Sequence, residues 1–270
     1  MSQPEHLLVE HLLVERQGHV VTLTMNRPEA KNAFSAEMLV RMADAWDLID
    51  GDPDVRVAIL TGAGGTFCAG ADLKAMSGGY GESVWTQRFK QDSDLHWKAL
   101  LRHYRLKKPL IAAVEGWAVA GGTEILQATD IRVAGESAKF GVFEARRGLF
   151  PLGGSTVRLR RQIPFTVAMD LLLTAREVSA QEAKEIGLIG RVVPDGTALG
   201  AALEIAEVIG ANGPLAVEAI KASVKATEGI PEEEALKMEL EFGWPIFATE
   251  DAAEGQKAFA EKRTPVYKRK

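Results

Sequence analysis

An α/β fold with parallel strand pairing, followed by a helical extension, is what this 270-residue chain predicts. Short β-branched apolar runs at 20–25, 55–61, 110–114 and 131–134 alternate with stretches of helical periodicity. Glycine-bearing turns follow such runs, at Gly62-Ala63-Gly64-Gly65 and again at Gly121-Gly122. Beyond Pro151 the pattern becomes helical. Strands that alternate with helices pair in parallel through right-handed crossovers.

The elements follow in order. A tandem pentapeptide, His6-Leu7-Leu8-Val9-Glu10 and His11-Leu12-Leu13-Val14-Glu15, opens the chain. One copy forms the first strand; the other extends it or frays. No longer repeat follows, so a solenoid is excluded. Residues 20–25 form a strand that ends at the turn Asn26-Arg27-Pro28. Ser35 is placed to cap a helix whose apolar residues recur at Leu39, Met42, Trp46 and Ile49. Residues 55–61 read as a buried strand. The stretch 75–104 carries Gly78, Gly79 and Gly81, then Trp85, Phe89 and Trp97 among charges, and reads as a mobile loop leading into a helix. After Lys107-Lys108-Pro109 come a core strand at 110–114, a short helix from Gly121 and a strand at 131–134. Helices are expected at 165–173, 179–186, 201–209, 215–227, 232–247 and 250–262, with the extension organised around Gly213-Pro214.

The hydrophobic fraction of 46% and charged fraction of 26% are those of a globular protein with one sizeable core. A net charge of −5 argues against nucleic acid as the main ligand, though a small phosphorylated molecule needs only local cations. A single cysteine, Cys68, excludes an intrachain disulfide and a thiolate metal site, and it reads as a small buried residue. No apolar run approaches a membrane span, and the N-terminus shows no signal-peptide pattern. The expectation is a cytoplasmic protein without a membrane or nucleic-acid partner.

Two glutamates stand out: Glu124 in Gly121-Gly122-Thr123-Glu124 and Glu144 in Phe140-Gly141-Val142-Phe143-Glu144. Adding water across a double bond needs one carboxylate to take a proton from water and one to deliver a proton to carbon. It also needs backbone N–H groups to hold a negative oxygen, for which Ala69-Gly70-Ala71-Asp72 and Gly121-Gly122 are candidates. A glycine pair at a helix start leaves donors unpaired, with the positive end of the dipole behind them. Gly116 to Thr123 has the glycine spacing of a phosphate loop but Gly122 where a lysine belongs, which excludes a nucleotide hydrolase. No dinucleotide fingerprint follows a strand.

These residues resemble the crotonase family, the enoyl-CoA hydratase and isomerase superfamily. The markers are Asn26-Arg27-Pro28-Glu29-Ala30-Lys31-Asn32-Ala33, Phe67-Cys68-Ala69-Gly70-Ala71-Asp72-Leu73, the run from Gly121 to Glu124, Phe140-Gly141-x-x-Glu144, and Ala258-Phe259-Ala260-Glu261-Lys262-Arg263. The resemblance implies a spiral of ββα repeats over residues 1–200 and a C-terminal helical oligomerisation region over 201–270, assembled as a homotrimer or a homohexamer. It places a coenzyme A thioester carbonyl between the N–H groups of Ala71 and Gly121. It gives Glu144 the water's proton and the α-carbon, while Glu124 holds the water. It assigns substrate contacts to Lys31, Ala33, Ala69, Asp72, Leu73 and Gly122, with Phe259 and Lys262 reaching a neighbour's ligand. No metal or separate cofactor is implied, since coenzyme A belongs to the substrate.

The expected activity is hydration of a trans-2-enoyl-CoA in fatty-acid or sterol side-chain β-oxidation. Isomerisation, thioester hydrolysis or decarboxylation on the same frame, and a non-catalytic acyl-CoA-binding subunit, are the alternatives. The family's isomerases generally keep a glutamate only at the Glu144 position, so the presence of both favours hydration. Two departures stand out. Leu152 follows Pro151 where hydratases often carry glycine, so a positive φ there would be strained. Thr123 replaces a common cysteine and is expected to add a hydroxyl near the water. Residues 75–104 are expected to cover the acyl tail, with Trp85, Phe89 and Trp97 lining a pocket for a long or bulky chain.

Overall fold

The computed structural model describes residues 10–79 and 81–270. The first pentapeptide lies almost wholly outside them, and the second supplies strand β1, Leu12–Gln17, which pairs antiparallel with β2, Val20–Met25. β3 (Val57–Gly62), β4 (Leu110–Val114), β6 (Ile131–Gly135) and β9 (Arg191–Val193) then join in parallel, giving the order β1-β2-β3-β4-β6-β9. A second sheet holds β5 (Trp117–Val119), β7 (Lys139–Gly141) and β8 (Val178–Ser179) in the order β5-β7-β8. An isolated bridge between Cys68 and Ala118 continues it one chain further. Each sheet therefore collects strands from successive turns of the chain, as a spiral requires.

β3 and β4 are buried on both faces, which explains their unbroken apolar sequence. Alternation decides what each face meets. Ala58, Leu60, Ala112 and Val114 share a core with Met38, Met42, Trp46 and Ile49 of α1, Ala36–Gly51. Val57, Ile59, Ile111 and Ala113 pack instead on Ala198, Ala202, Ile205 and Ala206 of α9, Ala198–Gly210. α9 thus belongs to the sheet, and the boundary expected at residue 200 falls inside it. The Ser35 hydroxyl accepts the Met38 N–H at 3.1 Å, the predicted cap, worth about 1 kcal/mol.

Where the stretch 75–104 was expected to be a loop leading into a helix, its described residues form helices on both sides of residue 80. Its elements are α2 (Leu73–Gly78), α3 (Val84–Gln91) and α4 (Leu95–Ala99). Aspartates at three-residue intervals along one face of α1 hold α3, α4 and the segment after α4. Asp44 pairs with Arg88 at 2.9 Å, Asp47 with Lys98 at 2.5 Å, and Asp50 accepts the Tyr104 hydroxyl and the Lys107 N–H, both at 2.9 Å. The indole of Trp46 donates to Ala99 O at 3.0 Å. Trp85 and Phe89 pack against the core, and Trp97 stacks between His96 and Arg102. Of these aromatics Trp85 meets α1 directly, with the Arg41 guanidinium 4.9 Å from its ring.

The remaining helices are α5 (Gly121–Leu126), α6 (Ser155–Gln162), α7 (Phe165–Thr174), α8 (Ala180–Glu185), α10 (Pro214–Ala226), α11 (Glu232–Phe247) and α12 (Glu250–Glu261). Fully buried Lys108 pairs with Glu218 of α10 at 2.8 Å, and Lys221 pairs with Asp130 at 2.6 Å. The C-terminal residues fold back on the body: Asp251 accepts the N–H groups of Lys268 and Arg269 at 2.7 and 2.9 Å, and Arg56 donates to Tyr267 O at 3.0 Å. Among the described residues, no helix is long and apolar enough to cross a membrane.

Candidate active site

The turn at 27–33 and the loop after β3 are built as one unit. Asn32, buried and at φ 54°, accepts the Arg27 N–H at 2.8 Å and donates to Ala63 O at 2.9 Å and Thr66 O at 2.6 Å. The carbonyl of its exposed neighbour Lys31 accepts the Ala69 N–H at 3.0 Å. Arg27 reaches Ala33 O at 2.8 Å and Asp72 at 3.2 Å, so both arms of the turn are clamped. Asp72 also caps α2 by accepting the Ala75 N–H at 3.1 Å, and these donors hold its carboxyl below the usual range. Its role here is to fix the loop. Ala33 contributes a backbone carbonyl, and Leu73 is exposed at the start of α2.

Cys68 then pins that loop to β5, donating its N–H to Trp117 O at 2.8 Å and accepting from Val119 at 3.0 Å. Its thiol donates to Asn32 O at 3.1 Å, and burial pushes it up to about 12, so it is a packing residue without nucleophilic character. Gly70 sits at φ +89°, and a Cβ there would lie 2.9 Å from the Gly121 nitrogen. That contact brings the Ala71 segment against the first residue of α5. Phe34 N–H donates to Gly70 O at 2.8 Å, and among the described residues no backbone acceptor takes the Ala71 N–H. Gly121 opens α5, so its N–H points out of the helix with no intrahelical acceptor. Gly122 is glycine for another reason: a Cβ there would stand 2.3 Å from Cys68 O. It is a packing contact between the two sheets' connections.

Glu124 projects from α5 and is 4% exposed. Its carboxylate accepts the Ser155 N–H at 3.2 Å, at the start of α6, with Gly153 and Gly154 also donating. Burial nonetheless raises its pKa; the donors offset only part of the desolvation. A Cβ on Gly153 would meet Glu124 Oε2 at 2.6 Å, so this glycine leaves room for the carboxylate. The left-handed position of the turn is Gly154, at φ +123°. Leu152 is outside the positive-φ set, so the strain expected there does not arise.

Glu144 opens a 3-10 turn, Glu144–Arg147, just after β7. One carboxylate oxygen, Oε2, is buried with no hydrogen-bond partner among the described residues. Burial, with the charge of Glu124 adding to it, pushes this carboxyl up to about 7. The two carboxylates are therefore near enough for the charge of one to act on the other, although Glu124 lies on α5, after β5, and Glu144 in the turn after β7. Neither following arginine neutralises Glu144: Arg146 lies over the Phe143 ring at 4.6 Å, and Arg147 donates to Phe143 O at 3.5 Å.

Thr123 is buried. Its hydroxyl donates to Ala118 O at 2.5 Å and accepts the Gly141 N–H at 3.2 Å, which joins β5 to β7 inside the core and commits its one proton to a backbone carbonyl. Phe259, 88% exposed, and Lys262, a left-handed residue closing α12, form no hydrogen bond with the elements that carry the carboxylates. Sequence reasoning missed Gly153 and Ser155 as supports of Glu124. Their only signal was the glycine pair before a helix start.

The model of the enoyl-CoA hydratase/isomerase family matches residues 15–270. The chain belongs to that family. It is 60% identical over 255 residues to enoyl-CoA hydratase EchA19 of Mycobacterium tuberculosis, covering 94% of each. It is 36% identical to (E)-benzylidenesuccinyl-CoA hydratase of Thauera aromatica, over 94% of this chain and 98% of that one. A crystal structure of an enoyl-CoA hydratase from Mycobacterium tuberculosis superposes with a TM-score of 0.88 at 42% identity, covering 97% of this chain and 100% of that one. Membership accounts for the spiral and makes the protein an enzyme of the hydro-lyase class acting on an acyl-CoA.

Proposed function

We propose that the protein adds water syn across the double bond of a trans-2-enoyl-CoA to give the 3-hydroxyacyl-CoA. The observation that carries this reading is the pair of buried carboxylates, both raised by burial and Glu144 also by the charge of Glu124, beside two unpaired N–H groups. The thioester oxygen lies between the N–H groups of Ala71 and Gly121, where negative charge builds as C3 is attacked. Glu144, with a carboxylate oxygen unpaired and a pKa near neutrality, takes the water's proton as hydroxide bonds to C3. The same carboxyl returns a proton to C2, so one water is consumed and nothing else is released. Glu124 orients the water. Its own position is fixed by the turn before α6.

Coenzyme A is part of the substrate, and these groups supply the reaction's proton transfers and charge stabilisation without a metal or redox cofactor. Lys31, exposed on a turn tied directly to Ala69, is suited to a coenzyme A phosphate. Phe259 and Lys262 serve the site of a neighbouring subunit in a homotrimer or homohexamer. Ile220 and Val224 of α10, with Leu240, Trp244 and Phe247 of α11, are exposed apolar residues that such an assembly would cover. The product suits a following oxidation at C3, as in β-oxidation of fatty or sterol side chains in the cytoplasm.

Loss of the conjugated enoyl thioester absorbance, followed over substrates from four carbons to sterol-sized, tests the reading. Hydration should proceed in the wild type and fall by orders of magnitude in both Glu124→Gln and Glu144→Gln. A Glu124→Gln variant near wild type would move the assignment to double-bond isomerisation.

A further inference from the structure

Two loops face each other beside Glu124, and four of their backbone carbonyls lack a backbone donor among the described residues: Leu101, Arg102, Leu152 and Gly153. Two guanidinium groups supply all four. Arg158, on the first turns of α6, donates through Nη2 to Leu101 O and to Arg102 O, the latter at 3.0 Å, and through Nη1 to Gly153 O at 3.4 Å. Arg102 crosses in the other direction and donates to Leu152 O at 2.8 Å. Leu101 holds a left-handed φ of 52° although it is not glycine, so its carbonyl needs a firm partner to stay where it is. The loop at 152–155 is the one whose N–H groups hold Glu124.

We propose that Arg158 is a positioning residue for Glu124: its forked guanidinium, backed by Arg102, locks the 152–155 turn to residues 101–102 and so fixes the Glu124 carboxylate. This rests on the reading of Glu124 as the residue that orients water. A fork suits this task because its two terminal nitrogens stand apart and reach carbonyls on both loops, whereas a lysine ends in a single nitrogen. The charged groups around this fork are Glu124, Glu228 and Arg102, so a lysine at 158 would keep the charge and lose the span.

A double-mutant cycle with Glu124→Gln tests it. Arg158→Met and Arg158→Lys should each lower kcat by about 10- to 100-fold, the effect of misplacing a reacting group, with KM little changed. In the Glu124→Gln background Arg158→Met should cost less than about twofold more, because the residue it acts through is already disabled. Equal losses in both backgrounds, a loss confined to KM, or full rescue by lysine would overturn the proposal. Amide exchange gives a readout independent of turnover. The Ser155 N–H should exchange about tenfold faster in Arg158→Met and in Arg102→Ala, while Leu110–Val114 amides of β4 stay protected. An unchanged Ser155 amide sinks the clamp, with Arg102→Ala deciding if Arg158→Met does not fold. A wild type that exchanges as expected but hydrates no enoyl thioester would overturn the assigned reaction and leave the clamp standing.

Discussion

Glu124 is 4% exposed and accepts the Ser155 N–H at 3.2 Å, whereas Glu144 has a buried oxygen with no donor among the described residues. The same side chain meets two environments. N–H groups at the turn before α6 partly replace the water that Glu124 lost, so its carboxylate is held in place. At Glu144 burial outweighs what a backbone N–H and the charge of Arg147 return, and the charge of Glu124 adds to it, so its pKa rises to about 7. The difference separates a carboxylate suited to orienting water from one suited to exchanging protons near neutral pH.

The largest effect should come from neutralising either group. Glu144→Gln and Glu124→Gln should each lower kcat by about 10²–10⁴, read from enoyl absorbance. Their stabilities should differ. The folded pKa of Glu144 is raised from 4.5 to about 7, so the native state binds the extra proton between those values. Stability therefore falls as pH rises through that window, and the ionised form is the costly one. Glu144→Gln should gain about 1–2 kcal/mol at pH 8 by denaturant melting, after discounting for partial solvation. Glu124→Gln should gain less, because donors already meet its charge.

Gly153→Ala comes next. A methyl group 2.6 Å from Glu124 Oε2 forces the carboxylate aside. A loss in kcat of about 10- to 100-fold is expected, with KM nearly unchanged. Near-wild-type kcat would show that Glu124 need not be held so closely.

The pH profile provides a finer comparison. Hydration should rise with pH through about 7 as Glu144 ionises. In Glu124→Gln the residual activity should have its acidic limb at lower pH, because the charge that raises Glu144 has gone. An unmoved limb would mean that the carboxylates do not interact. The smallest effect is expected for Thr123→Val, which should lose about 1–2 kcal/mol of stability with kcat unaltered, since the hydroxyl serves Ala118 and Gly141 inside the core.

Much of this was legible in the sequence. Strands 20–25 and 110–114 and the Ser35-capped helix are set by local patterning, and they appear at the predicted residues. The three-residue strands β5 and β9 escaped, because so short a run carries no period of its own and forms only by pairing with β7 or β6. Residues 75–104 were misread for a related reason. Their charges look like solvated loop until Asp44, Asp47 and Asp50 of a distant helix are known to face them.

Taken alone, the order of residues determined the glycine turns, the alternation of strand and helix, and the presence of two glutamates after such turns. These are local properties, fixed by backbone freedom and side-chain pattern. Only the folded chain decided that Gly70 abuts Gly121, that Gly153 to Ser155 cradle Glu124, and that Glu144 keeps an oxygen without a partner. Proton affinity depends on burial and on neighbouring charge, and both come from residues far apart along the chain.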